Sequence, residues 1–285
     1  MYRGRNFLSL NNGGTLHHVQ PLKNFLLLCT LGLATPILSI PSSNLESRQS
    51  STSPTVKVLN GSYSGVHNPQ YDQEFFLGIP FAQPPVRDLR FRQAQPLNTT
   101  WSDTRNATEY SPECIGYGSD DWVLGNIVSE DCLTLNVIRP SGATNLPVGV
   151  WIYGGGQTEG GNRDPRYNLS FIVQQSTYAR EPFIGVSINY RLQAWGYLFG
   201  KEIMAAGSAN RGIRDQRLAL HWIQENIAAF GGDPSKVTIW GESAGASDVG
   251  MQLVAYGGRD DGLFRGAIAE SGGPVGARRY MTPEQ

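Results

Sequence analysis

The sequence predicts an α/β protein with a mostly parallel sheet covered by helices on both faces. Three nearly continuous apolar runs, at residues 148–153, 183–190 and 237–240, have the composition of strands buried on both faces. Between the last two lies a run with apolar residues at helical spacing, residues 215–230. Buried strands that alternate with amphipathic helices indicate a parallel sheet, whose ligands bind at the carboxyl ends of its strands. We therefore expect functional residues to follow strands.

Shorter segments fit the same architecture. Their patterns predict strands at residues 74–79, 133–139 and 266–270, and helices at residues 169–179 and 247–255. The proline-rich segment 80–85 ends the first of these strands, and Gly231 and Gly232 end the helix at 215–230. No internal repeat interrupts the chain, so we treat residues 54–285 as one domain.

Composition and charge exclude some classes of partner. The 285 residues are 40% hydrophobic and 16% charged, as in an ordinary globular protein, with a net charge of −1. No stripe of lysine and arginine is present, so we expect neither a nucleic acid nor an anionic membrane surface as partner. The sequence implies no metal and no cofactor, and it leaves the oligomeric state open.

The first residues are typical of a secretory leader. Arg3, Arg5 and Lys23 precede an apolar run at 25–40, which the Ser/Thr-rich residues follow. This layout predicts a signal peptide at residues 1–40 and a linker at 41–53. The alternative is a signal anchor, although the run is short and Pro36 interrupts it. We expect an extracellular protein, and four glycosylation sequons agree with that route: Asn60, Asn98, Asn106 and Asn168.

The three cysteines fit an oxidising compartment. Cys29 lies in the predicted leader, so Cys114 and Cys132 remain as an even pair. We predict a disulfide between them, with two unpaired buried thiols as the alternative. The bond would close a loop of about 18 residues and contribute about 3 kcal/mol by the chain-entropy estimate.

The pentapeptide Gly241-Glu242-Ser243-Ala244-Gly245 has the pattern G-x-S-x-G between a predicted strand and a predicted helix. In that context the pattern is typical of a sharp, strained turn that exposes a nucleophilic serine. Larger side chains at 241 and 245 would clash with the neighbouring backbone. The residues therefore predict Ser243 as a nucleophile, and a purely structural glycine turn is the alternative.

A second glycine run, Gly154 to Gly156, follows the predicted strand at 148–153. Bare glycines leave backbone N–H groups free to point toward a developing negative charge. We expect the N–H groups of Gly155, Gly156 and Ala244 to form an oxyanion hole, each worth about 3 to 4 kcal/mol in the transition state. A phosphate-binding loop is the rival interpretation, but no Gly-Lys-Ser/Thr follows the run.

With these motifs in hand, the chain resembles the type B carboxylesterase/lipase family of α/β hydrolases, which includes the cholinesterases. The resemblance spans nearly all of the chain after the leader and rests on ordered segments: FLGIPFAQPPV (76–86), LRF (89–91), SEDCLTLNV (129–137), WIYGGG (151–156), NYR (189–191), DQRLAL (215–220), NIAAFGGDPSKVTIWGESAGA (226–246) and SGG (271–273). It implies an α/β-hydrolase fold, an acyl-enzyme on Ser243, support of the site by Glu242, and Cys114 with Cys132 as the family's first disulfide.

Two positions depart from this pattern or call for comment. Gln157 stands where the family usually has an aromatic residue, which places an amide beside the predicted oxyanion hole. Trp122 lies ten residues before Cys132, a spacing similar to that of the choline-binding tryptophan of cholinesterases. Packing or a place at the pocket rim is the other explanation for this tryptophan.

In this fold the triad runs Ser, then Asp or Glu, then His along the chain. No histidine follows Ser243, and the four in the sequence are His17, His18, His67 and His221. Carboxylates do follow the serine: Asp248, Asp260, Asp261, Glu270 and Glu284. A carboxylate can only orient a histidine that is present, and His221 is a poor substitute base because the matching helix position is structural in the family. We expect a C-terminally truncated hydrolase domain that is nearly inactive alone, since loss of triad members costs about 10⁴ to 10⁶ in rate.

The main hypothesis is a secreted carboxylic-ester hydrolase that acts on a small-molecule ester through Ser243. The rival is a non-catalytic secreted binding or adhesion protein on the same fold. The intact pentapeptide and glycine run favour the first, and the missing histidine favours the second. Lipid, aryl, choline and polyester-like substrates all remain open.

Overall fold

A computed structural model describes residues 53–118 and 127–275. The predicted signal peptide at 1–40, all but the last residue of the predicted linker at 41–53, Trp122 and Glu284 lie outside the described residues. No helix within the described ranges is long and apolar enough to cross a membrane.

Twelve strands and five helices of the described chain make up the fold. The strands are β1 (Thr55–Val58), β2 (Gly61–Ser64), β3 (Val66–Asn68), β4 (Gln73–Pro80), β5 (Thr104–Asn106), β6 (Glu113–Cys114), β7 (Val128–Ser129), β8 (Thr134–Pro140), β9 (Leu146–Ile152), β10 (Ile184–Ile188), β11 (Gly232–Glu242) and β12 (Gly266–Glu270). The helices are α1 (Ser170–Tyr178), α2 (Gln193–Tyr197), α3 (Lys201–Ala205), α4 (Arg211–Asn226) and α5 (Ala244–Gly258).

The main sheet has seven strands in the order β12-β11-β9-β10-β8-β4-β3. The four strands β12, β11, β9 and β10 run parallel, as the buried apolar runs predict. The other three strands pair antiparallel, beginning with β8 against β10. Because parallel strands end at the same edge of a sheet, the loops after β9, β10 and β11 meet there.

Strand β8 differs from the half-buried strand that its alternating sequence predicts. It lies inside the sheet between β10 and β4, and Thr134 to Ile138 are all buried. The polar side chain of Asn136 is tolerated there because it is hydrogen-bonded: its Oδ1 accepts from Gly78 N–H at 2.9 Å, and its Nδ2 donates to Ser187 Oγ at 3.1 Å. Both faces of this strand are therefore buried, although polar and apolar residues alternate along it.

The described chain also forms two small sheets: β1-β2-β5, and the pair β6-β7. In the second of these, a disulfide joins Cys114 at the end of β6 to Cys132, with 5.0 Å between the Cα atoms. Both cysteines are buried in the hydrophobic core.

Helix α4 begins at Arg211, four residues before the predicted start. The first turn has no apolar periodicity, because its buried face carries polar groups. Arg211 is fully buried, and its guanidinium donates to the backbone oxygens of Trp195 at 2.8 Å and Ala194 at 2.9 Å. At the other end a 3₁₀ turn follows the helix, and Gly231 takes a left-handed φ of 79°, where a Cβ would lie 1.9 Å from Ala143 O.

A buried ion pair connects the end of β10 to α4. Arg191 and Asp215 form a two-point salt bridge, with 2.7 Å for both the Nη2–Oδ1 and the Nε–Oδ2 distances. Burial raises the pKa of Asp215, and the hydrogen bonds from Arg191 oppose that shift. The same guanidinium donates to the backbone oxygens of Arg90 and Arg92, so it fixes the loop after β4 as well.

Candidate active site

Ser243 lies at the turn between β11 and α5. Its φ of 55° and ψ of −118° lie outside the helical and extended regions that L-residues prefer. The helix begins directly after it at Ala244, three residues before the predicted start. Such a turn places the side chain of Ser243 at the carboxyl end of the parallel strands, and the residue is partly exposed.

Glycine is required on both sides of this serine. A Cβ at Gly245 would lie 2.1 Å from Ile152 O and 2.7 Å from Tyr153 O, and a Cβ at Gly241 would lie 2.7 Å from Gly245 O. These distances are far below van der Waals contact with rigid backbone. The turn can therefore form only when both residues lack a side chain.

Strand β12 and the turn after it contact the backbone of Ser243. The N–H of Ser243 donates to Glu270 O at 2.8 Å, and Ser247 N–H donates to Ser243 O at 3.1 Å. A Cβ at Gly272 would lie 2.7 Å from Ser243 O, so the SGG segment packs directly against the turn. The strained backbone is thus held by two parts of the chain, the segment 270–272 and the first turn of α5.

The glycine run follows the end of β9, which two tyrosines join to the end of β10. Tyr153 follows β9 and Tyr190 follows β10, and their rings stack at 4.4 Å between centroids. Each hydroxyl donates to the backbone oxygen of the other residue, at 3.0 Å from Tyr153 and 2.7 Å from Tyr190. Complete burial raises the pKa of both hydroxyls well above the usual 10. Both tyrosines therefore stay neutral donors, and the two strand ends are tied together.

The run packs against the nucleophile turn. A Cβ at Gly154 would lie 2.7 Å from Glu242 O and 3.1 Å from Ser243 Cβ. Gly155 and Gly156 follow with φ of 86° and 68°, a region that glycine enters without cost. Their N–H groups donate to no backbone oxygen within the described part of the chain. Ala244 occupies the first helical position, where a backbone N–H has no intrahelical acceptor.

Two predicted elements of the site therefore come together, the G-x-S-x-G turn and the glycine run. Glu242 lies between them, half-buried, with its Oε2 3.1 Å from the place of a Cβ at Gly154.

The amide of Gln157 is bound to helix α5. Its Nε2 donates to Asp248 Oδ1 on the second turn of α5. Asp248 is fully buried, and its Oδ2 accepts from Gln216 Nε2 at 2.7 Å and from the Tyr197 hydroxyl at 3.4 Å. Sequence reasoning considered Asp248 only as a partner for a histidine. A carboxylate among the small and apolar residues after the nucleophile was the signal that could have drawn attention to it.

The two histidines of the described residues lie away from this turn. His67 is on β3, five strand positions from β11 in the sheet, which corresponds to about 24 Å; its Nε2 lies 3.2 Å from Asp72 Oδ1. His221 is exposed on α4. Neither is hydrogen-bonded to Ser243 within the described ranges.

Of the other carboxylates after the serine, Asp261 pairs with Arg217 and Glu270 accepts from Trp240 Nε1 at 2.9 Å. No cluster of three or more metal-ligating side chains occurs in the part of the chain that the structure describes.

Comparison with known proteins finds relatives that match most of this chain. Lipase 4 of Diutina rugosa is 41% identical over 267 residues, which is 80% of this chain and 47% of that lipase. Secreted lipase 1 of Botryotinia fuckeliana is 42% identical over 257 residues, 81% of this chain and 44% of the relative. The solved structure of a thermophilic PNB esterase superposes with a TM-score of 0.70 at 38% identity, covering 78% of this chain and 45% of that one.

The chain thus spans about half the length of the relatives it matches. The sequence model of the Carboxylesterase family matches residues 52–283, which include both the glycine run and the serine turn. The chain belongs to the carboxylesterase family and has the α/β-hydrolase fold.

Proposed function

We propose that this protein is a carboxylic-ester hydrolase that works through an acyl-enzyme on Ser243. The observation that carries the proposal is the strained backbone of Ser243, held with the glycine run packed against it. Strain of this kind persists only where the surrounding structure over-determines it, and it clusters at functional sites. Family membership supports the same chemistry.

In the proposed reaction Ser243 Oγ attacks the carbonyl carbon of the ester. The carbonyl oxygen becomes an oxyanion, and the N–H groups of Gly155, Gly156 and Ala244 donate to it. The C–O bond to the alcohol then breaks, the alcohol leaves with a proton, and water hydrolyses the acyl-serine. Glu242 supports the turn from the preceding position.

The first step needs a general base, and the described histidines lie elsewhere. A serine hydroxyl without a base keeps its ordinary low reactivity. We therefore propose that these 285 residues alone turn over slowly, with the residual catalysis that an oxyanion hole and binding supply, about 10³ to 10⁴ over water.

We propose a small-molecule ester as substrate and an extracellular location. The relatives named lipases act as the precedent for the substrate class, and the relative named Secreted lipase 1 supports secretion. The predicted leader at 1–40 and the sequons support the same route. Asn98, Asn106 and Asn168 are exposed and Asn60 is partly exposed, so all four can be reached in the folded chain.

The test is labelling of the purified chain with a fluorophosphonate probe, followed by intact mass. We expect slow labelling at one site that is lost in Ser243→Ala and lost in denaturant, because only the folded turn presents the donors. Labelling no faster in the folded than in the denatured chain would remove the nucleophile assignment and favour a binding protein on this fold. Labelling at the rate of a complete serine hydrolase would show instead that a base already serves Ser243.

A further inference from the structure

We propose that Asp248 is a positioning residue, which acts through Gln157 to hold the glycine run in its oxyanion-hole geometry. The inference rests on the proposed function for its catalytic meaning. Its structural basis is the hydrogen bond from Gln157 Nε2 to Asp248 Oδ1, which joins the residue after the glycine run to the helix that Ser243 begins.

Gln157 needs such an anchor because its own backbone is unfavourable. Its φ is 62°, in the left-handed region where a residue with a Cβ is uncommon. Its backbone oxygen accepts from Gln193 N–H at 2.9 Å, and its side chain reaches Asp248. Gly155 and Gly156 directly before it are conformationally permissive, so the fixed end of the run sets where their N–H groups point.

Asp248 is itself rigidly held. Its side chain is fully buried, and Gln216 on α4 donates to its second oxygen at 2.7 Å. Gln252, one turn further along α5, donates to Gln216 Oε1 at 3.3 Å and to Ile213 O at 2.8 Å. The side chains of Asp248, Gln216 and Gln252 are all fully buried. A buried, connected polar network of this kind keeps one arrangement, because each group left without its partner is costly.

The position of Asp248 makes the link specific to the site. Ser243 directly precedes helix α5, which carries Asp248 five residues further on, while Gln157 directly follows the donors Gly155 and Gly156 on one loop. The Gln157–Asp248 bond therefore ties the loop that carries the Gly155 and Gly156 donors to the helix that begins directly after the nucleophile.

The experiment exchanges the two functional groups across this bond. Gln157→Glu sets a carboxylate against the Asp248 carboxylate and removes the donor. The double variant Gln157→Glu with Asp248→Asn places a carboxylate and an amide together again, with their sides reversed. Gln175→Glu makes the same change on the exposed face of α1 and serves as the control. Amide hydrogen exchange of residues 154–159 is followed by mass spectrometry, together with the global unfolding midpoint and the rate at which the fluorophosphonate probe labels Ser243.

We expect Gln157→Glu to raise exchange of residues 154–159 at least tenfold, with exchange of β9 unchanged. The double variant should return that exchange to within twofold of the wild type. Asp248→Asn alone should have a small effect, because the Gln157 amide can turn over and present its oxygen. The labelling rate should fall in Gln157→Glu and recover in the double variant.

Unchanged exchange in Gln157→Glu, or no recovery in the double variant, would overturn the inference. Recovery of exchange without any labelling of Ser243 would support the role of Asp248 and would contradict the proposed function, so the two ideas fail separately.

Discussion

At the scale of single residues, the nucleophile turn depends on the absence of side chains. Gly241 and Gly245 face backbone oxygens at distances that no Cβ can occupy. Glycine is required at these two positions because β9, β11 and α5 approach each other closely there.

Gly245→Ala tests this requirement. The new Cβ would lie 2.1 Å from Ile152 O, so the strand or the helix must move, and we expect a loss of about 3 kcal/mol in the free energy of unfolding. Gly142→Ala is the control for the loss of a glycine in open space: its Cβ would meet nothing within 4 Å, so only its left-handed φ of 68°, a cost that Gly245 on α5 does not carry, should reduce stability, by about 1 kcal/mol. Equal losses in urea titrations of the two variants would contradict the packing argument.

The Glu130 carboxylate gives a prediction with a defined pH dependence. Hydrogen bonds from the Arg90 guanidinium hold the pKa of Glu130 below its usual 4.5, and Trp195 Nε1 donates to it at 2.9 Å. A lowered pKa in the folded state means that the stabilisation is present above pH 4.5 and is lost as the pH falls through the lowered value. Glu130→Gln should therefore lower the thermal midpoint at pH 7 and converge on the wild type in acid.

Thermal melts from pH 7 down to pH 3 measure this convergence. Glu181→Gln, an exposed site, should show little difference from the wild type at any pH. A Glu130→Gln deficit that stays constant into acid would mean that the side chain stabilises the fold by packing and not by its charge.

The sequence predicted the turn and the glycine run, because glycines at fixed spacing after apolar strands are a local signal. It did not predict where Gln157 points. The side chain is ordered by Asp248, a residue distant in sequence whose burial depends on α4 and α5 packing together. The pattern of one segment carries no information about such a contact.

At the scale of elements, the ends of β9 and β10 are tied by the tyrosine pair. Tyr190→Phe removes the hydroxyl that donates to Tyr153 O at 2.7 Å and leaves that buried oxygen without this donor. We expect a loss of 1 to 2 kcal/mol in unfolding free energy, on the order found for such groups. Tyr178→Phe, at a residue that is 69% exposed, should change stability by less than about 0.5 kcal/mol.

Both variants can be compared by chemical denaturation at one pH. Equal stability of Tyr190→Phe and the wild type would mean that the stacked rings hold the strand ends without help from the hydroxyls.

Element type was predictable where a segment had a clear period, and so was the parallel direction of the buried strands, but the antiparallel direction of β8 was not. The apolar runs gave β9, β10, β11 and the last strand, β12, as strands in nearly the right places. The antiparallel pairing of β8 depends on which neighbours it meets, and its own alternation does not specify them. Helices α2 and α3 were missed because five residues are too few to show a helical period.

At the scale of the whole molecule, β12 forms one edge of the seven-stranded sheet in the described chain. Four of its five residues are exposed, and Ile268 is 50% exposed. An exposed apolar edge strand is a template for pairing with another chain. We expect the purified chain to self-associate through this edge.

Ile268→Lys should reduce that association, because charge on an edge strand opposes pairing. Phe171→Lys, on exposed helix α1, is the control and should leave association unchanged. Sedimentation velocity across a range of protein concentrations measures the difference. Equal association of all three proteins would contradict a role for β12.

The fold and family were predictable at this scale, and the comparisons confirm both. Eight motifs in a fixed order describe the same fold together, although each alone is short. The small sheet β1-β2-β5 was not predicted, since its strands are only three or four residues long and β2 pairs with β5, which lies about forty residues further along the chain.

The backbone at Ser243 also bears on how selection acts at this position. Glycine would adopt a φ of 55° and a ψ of −118° far more easily than serine, and strain of this kind costs about 1 to 3 kcal/mol. A chain selected only for folding would therefore gain from glycine at 243. Serine at this position lowers the stability of the fold and supplies a hydroxyl group at the turn. A Ser243→Gly variant that is more stable than the wild type would therefore indicate that serine is retained here for its chemistry.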